Sequence, residues 1–137
     1  MQLSNTSKYA VRILSYIANT KDEKLQHAKE LSEILEIPYK FMTKIMTELV
    51  KSEFIISVRG REGGYKLARE ASSITILEIL NSFNELTHYH ECILGSGACN
   101  PSKKCILHDK WAEPKHLIKK MFQETTLHNV NIEDFKL

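Results

Sequence analysis

The stretch from Ala28 to Val50 reads AKELSEILEIPYKFMTKIMTELV. Ala28, Leu31, Ile34 and Leu35 recur at the helical period, and the pattern breaks at Glu36-Ile37-Pro38. Proline fits the first turn of a helix, where no intrahelical N–H bond is lost. A second helix therefore opens there, with Phe41, Met42, Ile45, Met46, Leu49 and Val50 on one stripe. Two short helices across a tight turn spell a helix-turn-helix. Upstream, Ala10, Ile13, Leu14 and Ile17 predict a longer helix from about Ser4 to Asn19. Downstream, the β-branched run Phe54-Ile55-Ile56-Ser57-Val58 predicts a strand, Arg59 to Gly64 a glycine-rich turn, and Tyr65-Lys66-Leu67 the returning strand. Three helices followed by a hairpin make a winged helix, so the expected fold class is mainly α with a small β-hairpin.

Beyond the wing, Thr75-Ile76-Leu77-Glu78 is a T-x-x-E capping box that opens a fourth helix with Ile76, Ile79, Leu80 and Phe83 apolar. Periodicity fails from Glu85 to about Cys105, where Gly95, Gly97, Asn100 and Pro101 mark a loop. Such a loop is long for a compact domain. A last helix is expected from about Ile106 to Thr125, with Pro114 kinking it or sitting in its first turn. The expected organisation is a winged domain over 1–84, a cysteine-bearing loop over 85–105, and a long helix with its tail over 106–137.

The 137 residues are one domain's worth of chain, and 42% hydrophobic against 26% charged residues argues for a real core and against disorder. Length excludes a large multidomain enzyme. No apolar run reaches the length of a membrane span and no signal-peptide core follows Met1, which predicts a soluble cytoplasmic protein. Three cysteines, an odd number in a reducing compartment, argue against a disulfide framework. Residues 1–69 carry 12 Lys/Arg against 8 Asp/Glu, and residues 70–137 carry 7 against 9. All three cysteines and five of six histidines lie in the second half. A split of this size also arises by chance, so it carries weight only with the motifs.

The apolar stripe of the second helix faces the core, leaving Tyr39, Lys40, Thr43, Lys44 and Thr47 outward. Lysine can meet phosphates or guanine edges, and threonine can meet bases or the thymine methyl. Arg59 and Arg61 flank Gly60 on the wing, where arginine can enter a narrow minor groove. Taken singly, exposed lysines are usually only solvated, and the glycine turn would pass for an ordinary hairpin. A nucleotide-binding loop would need a strand–loop–helix context and a Lys-Ser/Thr ending, both missing. No coherent nucleophile–base pattern appears either, so no enzyme is expected. The order of elements, with basic residues at both contact points, points to DNA.

The other constellation is Cys92-x6-Cys99-x5-Cys105-x2-His108. Three thiolates on a glycine-containing loop, with an imidazole three residues beyond the last, can converge on one centre. Structural zinc would be Cys3His, although zinc sites favour close C-x2–4-C pairs. A metal-free thiol switch needs low-pKa cysteines. An iron–sulfur cluster accepts wider spacings and admits histidine in place of cysteine. His88 and His90 precede the loop and are possible ligands, although histidines so placed are mostly surface polar residues, while His27, His116 and His128 join no constellation.

Both halves resemble one family, the Rrf-type winged-helix regulators, which include IscR, NsrR, RirA and CymR. The resemblance rests on Met1-Gln2-Leu3-Ser4, Tyr9-Ala10-Val11-Arg12, Ala28-Lys29-Glu30-Leu31-Ser32, Ile37-Pro38, the wing Arg59-Gly60-Arg61-Glu62-Gly63-Gly64-Tyr65-Lys66-Leu67-Ala68, and Ile74 to Ile79. It implies a homodimer, held through the long last helix by Trp111, Ile118, Met121 and Phe122, on a pseudo-palindromic site in double-stranded DNA. Pro38, Lys40, Thr43, Lys44 and Arg59 match the family's DNA-contact positions, with Tyr39, Gly60 and Arg61 beside them. Thr43 and Lys44 stand where IscR has Glu and Gln, which makes this helix more basic. The resemblance also implies an iron–sulfur cluster on Cys92, Cys99 and Cys105, with His108 as the fourth ligand to [2Fe–2S]. The first gap is x6 rather than x5, and Lys8 stands where some [4Fe–4S] members place a ligating Asp, which favours [2Fe–2S]. The alternative within the family is a metal-free, thiol-switch or zinc-containing DNA-binding repressor that acts with a protein or small-molecule partner.

Overall fold

Helix α1 (Asn5–Asn19) starts one residue later than expected because Ser4 caps it, its Oγ accepting from Ser7 N at 3.2 Å. The computed structural model describes residues 2–20, 24–94 and 97–130. The inner stripe Ala10, Ile13, Leu14 and Ile17 is buried, as the periodicity requires. Helices α2 (Ala28–Ile34) and α3 (Tyr39–Lys51) follow, with Pro38 as the N-cap of α3. Met42, Ile45, Met46 and Leu49 of α3 enter the core. Phe41 departs from the stripe expected of it. It stays 41% exposed at the edge, with Lys40 Nζ 5.1 Å above its ring.

The turn between α2 and α3 is built without glycine. Glu36 takes the left-handed conformation at φ +53°, and Ile37 N closes a six-residue turn onto Ser32 O at 3.0 Å. This is a Schellman end with a glutamate in the usual glycine place. Arg12 Nη2 donates to Leu35 O at 2.8 Å and so answers a carbonyl that the helix end leaves open. Thus α1 supports the end of α2.

Strands β1 (Ile55–Val58) and β2 (Gly64–Leu67) pair antiparallel, Ile55 opposite Leu67 and Val58 opposite Gly64. A third rung, not anticipated from the sequence, lies on the outer side of β2. Gln26 N donates to Tyr65 O at 2.9 Å and Tyr65 N to Gln26 O at 2.8 Å. This close approach explains Gly64, while the hairpin turn itself explains Gly63. A Cβ on Gly64 would lie 2.8 Å from Gln26 O, and one on Gly63 would collide with Val58 O.

The capping box is present in both directions, with Glu78 N donating to Thr75 Oγ1 at 3.2 Å and Thr75 N to Glu78 Oε2 at 2.9 Å. It opens α4 (Ile76–Ser82), which ends at Phe83. Burial raises the Glu78 carboxyl pKa, but the Thr75 N–H and the nearby Arg69 outweigh it and hold the group below the usual value. The expected loop contains a 3-10 stretch, Glu85–His90, before turning irregular. Helix α5 (His108–Glu124) comes last, and Pro114 sits inside it rather than in its first turn. The chain then folds back on the winged body. Ile76 N donates to Thr125 O at 2.9 Å, Leu127 N to Ile74 O at 3.0 Å, and Leu127 is buried in the core. Among the described residues no helix is long and apolar enough to cross a membrane.

Candidate nucleic-acid interface and cysteine centre

Core-facing residues of α3 leave Tyr39, Lys40, Lys44 and Thr47 exposed and Thr43 half-exposed on the opposite side. Tyr39 is 55% exposed, a large aromatic in the first turn of the helix that a helix-turn-helix sends into the major groove. Arg59, Gly60 and Arg61 are exposed at the tip of the wing. Gly60 has φ +112° and its carbonyl accepts from Gly63 N at 3.0 Å, closing the turn that carries both arginines. The structure thus puts these candidate residues on two exposed elements that α1 and the Gln26 rung hold in place.

The cysteine segment is anchored at both ends. At its start, Glu85 accepts from Ser4 N at 2.6 Å, from Ser4 Oγ at 2.7 Å and from Ser7 Oγ at 2.7 Å. A carboxylate there also complements the positive end of α1. No local pattern reveals this contact, which spans 81 residues. At the segment's end, Lys104 Nζ meets Asp109 Oδ1 at 3.0 Å, and that hydrogen bond and charge hold the Asp109 carboxyl below its usual range. Between these anchors Glu91 pairs with Ala98 and Cys92 N donates to Gly97 O at 2.6 Å.

All three cysteines are half-buried and none is disulfide-bonded. Cys92 Sγ and Cys105 Sγ lie 4.0 Å apart. Two thiolates on one tetrahedral metal, each at about 2.3 Å, stand about 3.8 Å apart, so this pair fits a metal-bound arrangement. His108 N donates to Cys105 O at 3.1 Å, which starts α5 beside the second thiol. Cys99 and the His108 ring are not gathered with the pair. Among the described residues no three His, Cys, Asp or Glu side chains converge closely enough to hold a metal ion. The side chains of His88 and His90 lie outside the described residues.

Along α5, Trp111 and Ile118 are half-buried, and Met121 is 53% exposed. Phe122 packs within its own chain, edge-on to Tyr89 at 6.3 Å between ring centres. Burial, then the charge of Glu85, pushes the Tyr89 phenol up. The Trp111 Nε1 is enclosed with no hydrogen-bond partner among the described residues.

Comparison with known proteins agrees with this layout. The model of the Rrf2 family, described as "Iron-dependent Transcriptional regulator", matches residues 3–131. A putative HTH-type transcriptional regulator of Aquifex aeolicus is 36% identical over 137 residues, 98% of this chain and 94% of the relative. The HTH-type transcriptional regulator NsrR of Oceanobacillus iheyensis is 33% identical, covering 88% of this chain and 78% of the relative. Among solved structures, CymR, the global cysteine regulator of B. subtilis, superposes with a TM-score of 0.80 at 18% identity, covering 94% of this chain and 95% of that one. IscR of T. potens does so with 0.74 at 21%, covering 94% and 85%. These structures share the winged-helix fold, and the relatives are regulators rather than enzymes. The chain belongs to the Rrf2 family of DNA-binding transcriptional regulators.

Proposed function

We propose that this protein is a homodimeric regulator whose grip on a pseudo-palindromic operator depends on an iron–sulfur cluster, [2Fe–2S] in preference to [4Fe–4S], held by Cys92, Cys99, Cys105 and His108. The observation that carries the reading is the Cys92–Cys105 pair at 4.0 Å on a segment anchored at both ends. The family's iron-dependent description and the soft thiolate donor set support it. When bound, such a cluster supplies a thiolate-held redox centre open to oxidation, nitric oxide or loss.

The chain's own part is mechanical. Glu85 pins the start of the cysteine segment to α1, and Lys104–Asp109 pins its end to α5. Ordering the residues between these anchors fixes how α5 leaves the winged body. Two winged units on α5 helices of a dimer must present α3 about 34 Å apart, one DNA turn. A change in the order of the segment therefore shifts the population of DNA-competent spacing. The segments 1–84, 85–105 and 106–137 act as reader, sensor and coupler. Tyr39, Lys40, Thr43, Lys44, Arg59 and Arg61 make the DNA contacts, with Pro38 and Gly60 shaping their two elements.

Anaerobic purification, the visible spectrum, and iron and sulfide counts test the reading. Near-equal iron and sulfide, with about two of each per chain, is the expected result. About four of each would move the fourth ligand away from His108. Cys99→Ala should leave no cluster, and retention there would sink its assignment. A second reading draws on the same 4.0 Å pair, with Cys99 standing apart: a zinc site or thiol switch in a regulator of this family. A colourless, iron-free protein after reconstitution would select it.

A further inference from the structure

Thr43 and Thr47 stand one turn apart on the outward side of α3, flanked by Lys40 and Lys44. Thr47 Oγ1 donates to Thr43 O at 2.9 Å, and Thr43 Oγ1 donates to Lys40 O at 3.2 Å. A threonine hydroxyl has one hydrogen, and here both hydrogens are committed to the helix. Each oxygen is drawn back against the backbone. The Cγ2 methyl is then the group left to meet a base pair entering from the groove side.

The four bases respond differently to such a face. Guanine offers only acceptors in the major groove, and a spent donor gives them nothing. Adenine and cytosine offer amino groups, which need an acceptor turned outward. Thymine alone offers a methyl, and a threonine methyl is its apolar complement. We infer that Thr43 and Thr47 read thymine C5 methyls, so that the operator half-site carries thymine opposite the middle of α3. Lys40 and Lys44 supply cations for phosphate or guanine on either side. This inference rests on α3 being the recognition helix and deepens that reading.

The test starts with duplexes selected from a random-sequence pool by the full-length protein at fixed salt. Each thymine of the enriched half-site is then replaced in turn by deoxyuridine, which keeps every hydrogen-bonding group and lacks only the methyl. The protein should lose about threefold to fivefold in affinity at one or two thymines, the worth of one buried methyl. Thr43→Ser and Thr47→Ser keep the hydroxyl and remove the methyl. Each should weaken binding by a similar factor, become indifferent to deoxyuridine at its own thymine, and keep the loss at the other. Helical content by circular dichroism checks that both variants fold. An enriched half-site without thymine, a neutral response at every thymine, or serine variants as sensitive as the parent would overturn the inference. If no sequence is enriched and all duplexes bind alike, the recognition-helix reading fails first and takes this one with it.

Discussion

Two long helices of this chain have opposite fates. Helix α1 buries Ser7, Ala10, Val11, Ile13, Leu14, Ser15 and Ile17, whereas the 17-residue α5 buries none of its residues. The first is closed by its own chain: Arg12 answers the end of α2, Glu85 caps its start, and the core wraps its inner face. The second carries Pro114, which removes the N–H that would have bonded Lys110 O and costs about 3 kcal/mol in a helix interior. The proline interrupts the ladder six residues from the start of α5, and isolated helical segments shorter than about 12 residues are marginal in water. Yet Leu117 and Met121 lie 54% and 53% exposed on it. Beside Met121, an apolar hollow of about 290 Å³ opens between Leu3, Val11, Ile76, Phe122 and Val130. The difference is the one the proposed dimer would require: a reader that closes on its own chain, and a helix whose apolar side chains its own chain leaves uncovered.

The sharpest way to break that contrast is Leu117→Glu with Met121→Glu. Two apolar contacts per chain become charges, and burying an unpaired charge costs several kcal/mol. Sedimentation equilibrium should show a dimer becoming a monomer, with α5 losing helicity while the winged body keeps its melting transition. An unchanged mass would return α5 to the category of a solvated helix. The next largest effect lies in the reader. Gly63→Ala places a Cβ against Val58 O, with backbone on both sides and nowhere to shift. It should cost about 3 kcal/mol and lower operator affinity at least about tenfold through the displaced wing, with the dimer intact. Wild-type stability in this variant would mean the turn relaxes.

The sequence made the reader legible and the coupler only partly so, for a physical reason. Elements defined by local period and local hydrogen bonds declare themselves: α1 to α4, the hairpin and the reciprocal Thr75–Glu78 box were all readable. Contacts between distant segments leave no such mark. The Gln26–Tyr65 rung sits on a polar residue in a short connection, and the Gly64 that makes room for it reads in the sequence only as part of a hairpin turn. Glu85 reads as an ordinary surface acid, and Glu36 and Glu53 hide left-handed turns where glycine is expected. The cysteine spacing raised a centre as one of several possibilities, and the fold brings two of its four proposed groups, Cys92 and Cys105, within 4.0 Å of each other.

Arg12 acts inside the reader, between α1 and the end of α2, and predicts a middle-sized effect. Arg12→Met keeps the stem and removes the charge-assisted bond to Leu35 O. Loss of such a bond costs about 1.5–3 kcal/mol. Chemical denaturation should show that loss, and recovery with Arg12→Lys should be partial at best, since Lys cannot hold the same planar geometry. An unperturbed midpoint would remove Arg12 from the turn's support.

Smaller still is the capping box. Thr75→Ala should cost about 1 kcal/mol, and the effect should depend on pH. The Glu78 carboxyl has a folded pKa below its ordinary value. Its contribution is therefore complete above that value and fades as pH falls through the lowered one. Half-exposed at the surface, it should flatten the acid limb only slightly as Glu78→Gln. A steeper acid limb in the variant would reverse the sign and reject the assignment.

The smallest effect runs the other way. Glu53 ends α3 at φ +61°, with Phe54 N closing onto Leu49 O at 3.0 Å. A Cβ in that conformation costs about 1 kcal/mol, while glycine costs slightly less than that in unfolded-chain entropy. Glu53→Gly should therefore stabilise the reader by a few tenths of a kcal/mol, on the order of 1–2 °C in melting temperature, and Glu53→Ala should not. Because Glu53 lies between α3 and β1, the gain must appear in the winged body alone, with the sedimentation of the dimer unmoved. A stabilising alanine would assign the gain to lost charge instead of relieved backbone strain, and would remove the left-handed turn from the account of how the wing is set beside α3.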